Sequence, residues 1–585
     1  MSCLHASRRH LRRTIHVVVA CAMAAGLWGG FWVDFWGGLA SAHAAERTVL
    51  AVVTCDSYVD LKKQAGWLGG QIGQPGLAGM LESVLLMATQ GRGLAGLDIK
   101  RPLGAVVTTD GGDIAIHGFV PVKSLDKLLD SLKAVTGPTE ASGETRSLTL
   151  PSGIPIDMVE RDGWAIVSPR GFDVEAVDPA PLFAPLSENY TLGLELFPHL
   201  LPEGLRQQLR MLIEQGAAAA GDRRPFEQEG QQFDARALAA ALDGLADTES
   251  LALGIAIDSD KDRLFIENRT IAVPGSSMAQ AMEGSDKGQS TIPMPPVADG
   301  KRPAVSAHLV QAVPEASRRE VLNLLDVALP ATSVDPLTKT LAVLLREALS
   351  SVLATGGIDA AVTIDADDLG GKDGGKPLPA VTVGVRVKDG AALENRVKQS
   401  FGGLKGGQQP LPPGVNVFFD SGKVGATNLH TISVDLTGTE AAERLGKSLD
   451  LTLAIAPDFA FLMAGGDPRQ RLASLLGPDG KADSQSKPIA GVDISVPQVL
   501  AYAADQGVLP PEAATQTEDE DTALAKQNGT VQLLIRPIER GVATRLSADG
   551  AAIRSAAART GAGPDGPAPP GLPIPNGFQI PAPAR

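Results

Sequence analysis

Residues 120–135, VPVKSLDKLLDSLKAV, and residues 385–400, VRVKDGAALENRVKQS, share one pattern of apolar and polar positions. Each opens Val-x-Val-Lys, with two valines on one face of an extended strand. A helix-capping residue follows, Ser124 or Asp389. Apolar residues then recur four apart, Leu128 with Leu132 and Leu393 with Val397, as on one face of a helix.

The surrounding pattern repeats in the same order. An apolar, β-branched run predicts a strand at 47–55 and another at 302–310. Helical spacing follows at 57–69 and 76–90 in the first case, and at 315–328 and 335–353 in the second. The last of these starts on Asp335-Pro336 and carries Leu337, Leu341, Leu344 and Leu345 on one stripe. A strand pair precedes each shared helix. The first turns at Asp110-Gly111-Gly112; the second is IDAAVTIDADD and PAVTVGVRV, joined by a Gly/Asp-rich loop. After the helix, residues 154–169 correspond loosely to VNVFFDSGKVGATNL plus LTLAIAPDFAFLMAG. An apolar strand leading into a helix comes next (190–215; 488–506), then a closing hairpin (251–273; 529–548).

This colinearity predicts a domain written twice. Short turns between neighbouring strands favour antiparallel pairing. The expected fold is α+β: two related domains, each a largely antiparallel sheet with helices packed on one face. The expected copies are residues 46–274 and 302–555. Residues 275–301, rich in Gly, Ser and Pro, read as a linker, and 556–585 as a disordered Pro/Gly-rich tail. Residues 216–234 and 507–527 read as exposed loops.

The N-terminus follows another pattern. Arg8, Arg9, Arg12 and Arg13 precede the apolar run 15–33, and Ala42-His43-Ala44 offers small residues where a signal peptidase reads. Residues 1–44 are therefore expected to be a signal peptide cleaved near Ala44. An uncleaved anchor is the rival; a twin-arginine signal at 7–11 and a lipoprotein cysteine at Cys21 fit less well. Cleavage removes four Arg and one Asp, deepening a net charge of −15. With no Lys/Arg cluster, nothing suggests nucleic-acid binding. Of three cysteines only Cys55 would remain, which excludes an intrachain disulfide and a cysteine metal site. It reads as a buried small apolar residue. Aromatics are only 4% of the chain, so the cores should rest on aliphatic residues.

Candidate chemistry is sparse. Asp258, Asp260 and Asp262 occupy the first, third and fifth places of a calcium loop, but Arg263 and Arg269 stand where Gly and a bidentate Glu are needed. Asp365, Asp367, Asp368 and Gly370 fail similarly, with Leu369 and Lys376 at ligand places. Glu518-Asp519-Glu520-Asp521 reads as solvated surface. His117, His199, His308 and His430 would remain after cleavage; His117 and His308 lie on strand-like runs, lack a paired His at metal spacing and read as ordinary half-buried strand residues. No nucleophile elbow or phosphate loop occurs. We therefore expect no catalytic, metal or cofactor residues.

The strands 47–55 and 302–310 and the helix starts 120–124 and 385–389 resemble a group of exported bacterial proteins built from repeated strand–helix–hairpin units. That resemblance implies a fold and an extracytoplasmic place, periplasmic or secreted, and offers no established activity or catalytic residue to carry over. The expected function is that of a non-enzymatic binding or structural protein of the cell envelope, with an envelope protein or polymer as partner. Membrane contact is expected only if the N-terminal segment is retained. The alternative is an extracytoplasmic hydrolase acting on an envelope or extracellular polymer, using carboxylates that only the fold brings together.

Overall fold

A computed structural model describes residues 47–559, apart from 111–113, 151–152, 172–177, 205, 208–210, 212–243, 283–291, 293–302, 314, 316–317, 320–345, 347, 366–378, 406–413, 439–441, 443–445, 477–488 and 506–528. The chain divides into two compact units, Met1–Ile266 with Ile553–Arg585, and Glu267–Ala552.

The first unit runs β1 (Thr48–Cys55), α1 (Tyr58–Gln71), α2 (Leu77–Ala88), β2 (Leu103–Thr109), β3 (Ile114–Pro121), α3 (Leu125–Thr136), β4 (Glu140–Ser142), β5 (Thr145–Thr149), β6 (Pro155–Arg161), β7 (Trp164–Pro169), α4 (Pro179–Ser187), β8 (Leu192–Leu196) and β9 (Thr248–Asp258). β10 (Arg263–Ala272) follows β9 and crosses the division. The pairings give the spatial order β4-β5-β6-β7-β3-β2-β1-β8-β9-β10.

The second unit holds α5 (Ser277–Met282), β11 (Val305–Ala312), β12 (Gly357–Asp365), β13 (Ala380–Arg386), α6 (Gly390–Lys405), β14 (Val415–Val424), β15 (Thr427–Asp435), β16 (Ser448–Ile455), β17 (Phe459–Ala464), α7 (Pro468–Leu476), β18 (Ala490–Ser495), α8 (Val496–Asp505), β19 (Thr530–Ile538) and β20 (Gly541–Asp549). Its order is β14-β15-β16-β17-β13-β12-β11-β18-β19-β20, antiparallel throughout. Element for element, this is the order found in the first unit. α9 (Gly550–Arg559) follows β20; Asp549 Oδ1 accepts the Ala552 N–H at 2.8 Å and caps it.

The shared helix starts are built alike. Ser124 Oγ accepts the Lys127 N–H at 3.4 Å, and Asp389 Oδ1 accepts the Ala392 N–H at 2.8 Å. Leu128, Leu393 and Val397 are all buried. Leu128 packs with Val122, Ile156 and Met158; Leu393 and Val397 pack with Val387, Ile455 and Ala460.

The helices lie on both faces of each sheet, not on one as the sequence suggested. In β3, Val120 packs towards α3, while its neighbour Phe119 packs against Phe183 and Leu186 of α4. Adjacent strand residues point to opposite faces, so α3 and α4 sandwich the strand. Phe119, Trp164 and Phe183 meet edge to face, with centroids 5.8–6.3 Å apart. In the second unit Val385 with Ala460 packs under α6, whereas Phe461, paired to Gly384, packs under Leu472 of α7. A sheet buried on both sides reads as continuous apolar runs, which conceals this from a pattern search.

Other expectations shift. β4 and β5 were missed, because Glu140–Ser142 is short, polar and exposed. The hairpin at 154–169 thus matches only β16–β17 by strand order. Within the expected linker, Ser277–Met282 is helical and Ile292 sits buried beside Phe461 and Leu472. Helix continues to Arg559, past the expected end of the second copy at 555. Residues 348–353 are helical. The signal segment 1–44, the turn at 111–112, most of the helices at 315–328 and 335–353, the loops 216–234, 367–376 and 507–527, and the tail from Gly561 lie outside the described residues. Among the described residues, no helix is long and apolar enough to cross a membrane.

Candidate functional site

One cluster of ionisable groups stands out among the described residues: Glu394 of α6, Asp420 of β14 and His430 of β15, whose ligand-capable atoms lie within 4.8 Å of one another. A bulge between Phe418 and Gly422 builds it. There Asp420 adopts φ +52°, an uncommon conformation for a residue with a side chain, which turns its carboxylate towards the helix. The Asp420 N–H donates to His430 Nδ1 at 3.1 Å. Phe419 contacts the same ring edge to face, 5.6 Å between centroids.

The cluster already holds a cation. Lys398, one turn along α6, places Nζ 2.8 Å from Glu394 Oε1 and 2.9 and 3.0 Å from the two Asp420 oxygens. Asn428 Nδ2 donates to Glu394 Oε1 at 2.9 Å. Burial would raise the Glu394 carboxyl, but the bonds from Lys398 and Asn428 together outweigh it and hold the group below its ordinary range. Lys398 likewise holds Asp420 low, and Glu394 then Asp420 hold Lys398 high. Burial keeps His430 below its ordinary value, against the pull of Glu394.

Because Nδ1 accepts an N–H, the neutral ring carries its proton on Nε2. That nitrogen lies 3.3 Å from Glu394 Oε1 but off the line of a hydrogen bond. A metal at Nε2 would need the proton on Nδ1, facing the Asp420 N–H. Lys398 and this tautomer together fit an internal ion network better than a metal centre.

The second feature is apolar. Across β11, His308 pairs with Ala361 and Gly491, and a Cβ at Gly491 would overlap the His308 ring, so these residues share one face. The other face carries Leu309 between Ala360 and Ala490, and Ala307 between Val362 and Val492. Leu533 and Ile535 of β19 extend it. Three alanines among larger neighbours leave a hollow of about 300 Å³, lined almost wholly by apolar atoms. Leu309 is 38% exposed, and Leu546, paired to Leu533, is 46% exposed. At the same place in the first unit's strand order, Leu253 pairs with Leu194 and is 45% exposed.

The remaining sequence candidates have other partners. Asp258 accepts from Lys261, Asp260 from Lys63, and Asp262 from Trp67 Nε1, so the calcium-like turn ties down α1. Asp365 accepts from Arg471 at 3.3 Å. His117 Nδ1 lies 2.8 Å from Ser168 Oγ, and burial, with the Arg47 charge, lowers the ring to about 4. His199 Nδ1 lies 2.9 Å from the Glu249 carbonyl. Cys55 is half-buried rather than buried; burial, then the Asp56 charge, pushes its thiol up to about 11, so little thiolate forms near neutral pH.

Sequence reasoning missed the Glu394–Lys398–Asp420–His430 network. Only the i,i+4 spacing of Glu394 and Lys398 signals any part of it. Compared with protein-family models, with curated proteins and with solved structures, the chain matches none, so the family resemblance rests on the strand and helix-start residues alone.

Proposed function

We propose that this chain is an exported, extracytoplasmic binding protein of the cell envelope, without catalysis of its own. We read it as two tandem copies of one α+β domain, residues 46–274 and 302–555, released by cleavage of residues 1–44. The shared order of ten strands and the matched helix starts support the duplication. Ten strands can pair in many orders, and coincidence rarely reproduces one of them with its caps. The observation that carries the binding reading is the half-open apolar hollow over β12, β11, β18 and β19. Small residues there expose sheet that a soluble protein ordinarily covers. Its chemistry suits an unbranched aliphatic group, such as an acyl chain or the apolar side chains of an envelope partner.

The test is titration of the mature protein with a fluorescent long-chain acyl probe, beside an Ala360→Leu variant that fills the hollow. Saturable binding, weakened at least about tenfold by the substitution, a loss of about 1.4 kcal/mol, agrees with the reading. No binding, or equal binding by both proteins, refutes it.

The second reading, a hydrolase of envelope polymers, draws on Glu394, Asp420 and His430. Turnover of cell-wall polymer by the mature protein, lost in Glu394→Gln, would favour it over the first.

A further inference from the structure

The first unit contains an apolar surface that the hollow does not explain. α2, LAGMLESVLLMA, is apolar nearly all round. Met80, Val84 and Met87, spaced four and three apart, are 60%, 60% and 70% exposed, and Leu81 and Leu86 flank them. Its single charge, Glu82, is paired with Lys62 at 2.7 Å. A helix of this composition seldom stays bare in water.

Three kinds of occupant could cover such a face: a lipid surface, a second copy of the chain, or a segment of the same chain. A lipid surface would select basic residues around the apolar stripe, and α2 carries none. A second copy would need roughly 800 Å² per partner for a stable dimer, more than one face of a three-turn helix offers. A segment already tethered nearby needs far less area, because its effective concentration is in the millimolar range, by order of magnitude.

Such a segment exists. α9 lies against the end of α1, where Arg554 Nη1 donates to Gln71 Oε1. α2 begins at Leu77, one short turn beyond Gln71. From Arg559 the chain continues through residues 561–585, which hold eight prolines, the apolar residues Leu572, Ile574, Phe578 and Ile580, and only two charged side chains, Asp565 and Arg585. A chain can reach at most ~3.3–3.6 Å per residue, so a segment of this length can span far more than the ~18 Å of α2. A proline-rich segment also loses little entropy on docking.

We propose that residues 561–585 dock on the α2 face formed by Met80, Val84 and Met87, with Phe578 and the neighbouring isoleucines supplying the apolar contacts. The uncharged helix face and the nearly uncharged tail suit each other.

The experiment compares peroxide oxidation of Met80 and Met87, read by peptide mass spectrometry, in three proteins: the mature chain, a truncation after Arg559, and full-length Phe578→Ser/Ile580→Ser. Both variants should oxidise several-fold faster than the mature chain, and a peptide of residues 561–585 should restore protection to the truncation. Oxidation at equal rates in all three overturns the proposal. So does protection that grows with protein concentration, which would assign the face to a second copy. Protection appearing only with phosphatidylglycerol vesicles would assign it to lipid, with the same effect.

Discussion

Truncating Leu128 and Leu393 to Ala, one at a time, tests whether the two matched helices do the same physical work. Both side chains are buried, 5% and 6% exposed, each facing the sheet beside its own valine pair. Leu→Ala removes three carbons from the core, about 2.4 kcal/mol at ~0.8 kcal/mol per buried carbon. Incomplete collapse of the cavity adds to this, so about 2–5 kcal/mol is expected at each site. The assay is urea unfolding of the mature protein followed by two probes. In a protein prepared to begin at Ala45, Trp67 and Trp164 are the two of the five tryptophans that are kept, and both belong to the first unit. Tryptophan emission therefore reports that unit, while far-ultraviolet circular dichroism reports both. Leu128→Ala should lower the midpoint of the emission transition. Leu393→Ala should lower a transition seen by circular dichroism, with a closely similar loss. A loss under about 1 kcal/mol at either site, or costs differing by more than the ~2.3 kcal/mol spread seen among Leu→Ala sites, would refute the idea that the helices are counterparts.

The caps should follow the same logic at smaller scale. Ser124→Ala and Asp389→Ala should each cost about 0.5–2 kcal/mol in the same unfolding assay, Asp389→Ala more, because its bond is shorter and charged. His117 should make the first unit sensitive to acid. Its folded value, about 4, lies below the unfolded value of 6.5, so the unfolded chain binds the proton first. Stability is then unaffected above pH 6.5 and falls as pH drops from 6.5 to 4, by about 3 kcal/mol in all. His117→Gln should flatten that part of the profile, measured as tryptophan midpoint against pH. In the second unit, Lys398→Gln removes the charge that opposes protonation of His430 and leaves Glu394 and Asp420 facing it. The His430 ring proton resonances, followed by NMR, should then titrate at higher pH than in the unsubstituted protein, and an unchanged titration would contradict the network described.

The legible parts of the fold are those in which neighbours in sequence are neighbours in space. Ser124 and Asp389 announced their helices because a cap acts within three residues. The hairpins β9–β10 and β19–β20 were readable because a turn of a few residues fixes the pairing. Pairing between β1 and β8 was not, because nothing local in VLAVVTC specifies a partner so far along the chain. The placement of α3 and α4 on opposite faces was hidden for a related reason. Phe119 and Val120 are both apolar, so the strand carries no alternation to mark a solvent side. The ion network was invisible because, although Asp420-Ser421-Gly422 mark a break in the strand, nothing local says that the bulge, with Asp420 at φ +52°, aims that carboxylate at α6. Ile292 escaped notice because the few apolar residues of its Gly/Ser/Pro-rich stretch follow neither a strand nor a helix period, although it is 1% exposed.

The position of β1 has a consequence for how the protein reaches its folded state. β1 is the first strand among the described residues and lies inside its sheet, with Ala51 paired to Val107 on one side and Leu196 on the other. β11 repeats the situation, with Leu309 paired to Ala360 and, much later in the chain, to Ala490. Each central strand must wait, one edge open, until the chain that completes it has emerged. Contacts between such distant segments form slowly, and an open apolar edge invites pairing with another chain. Both units should therefore fold late and as wholes, and depend on holding chaperones while β1 and β11 await their partners.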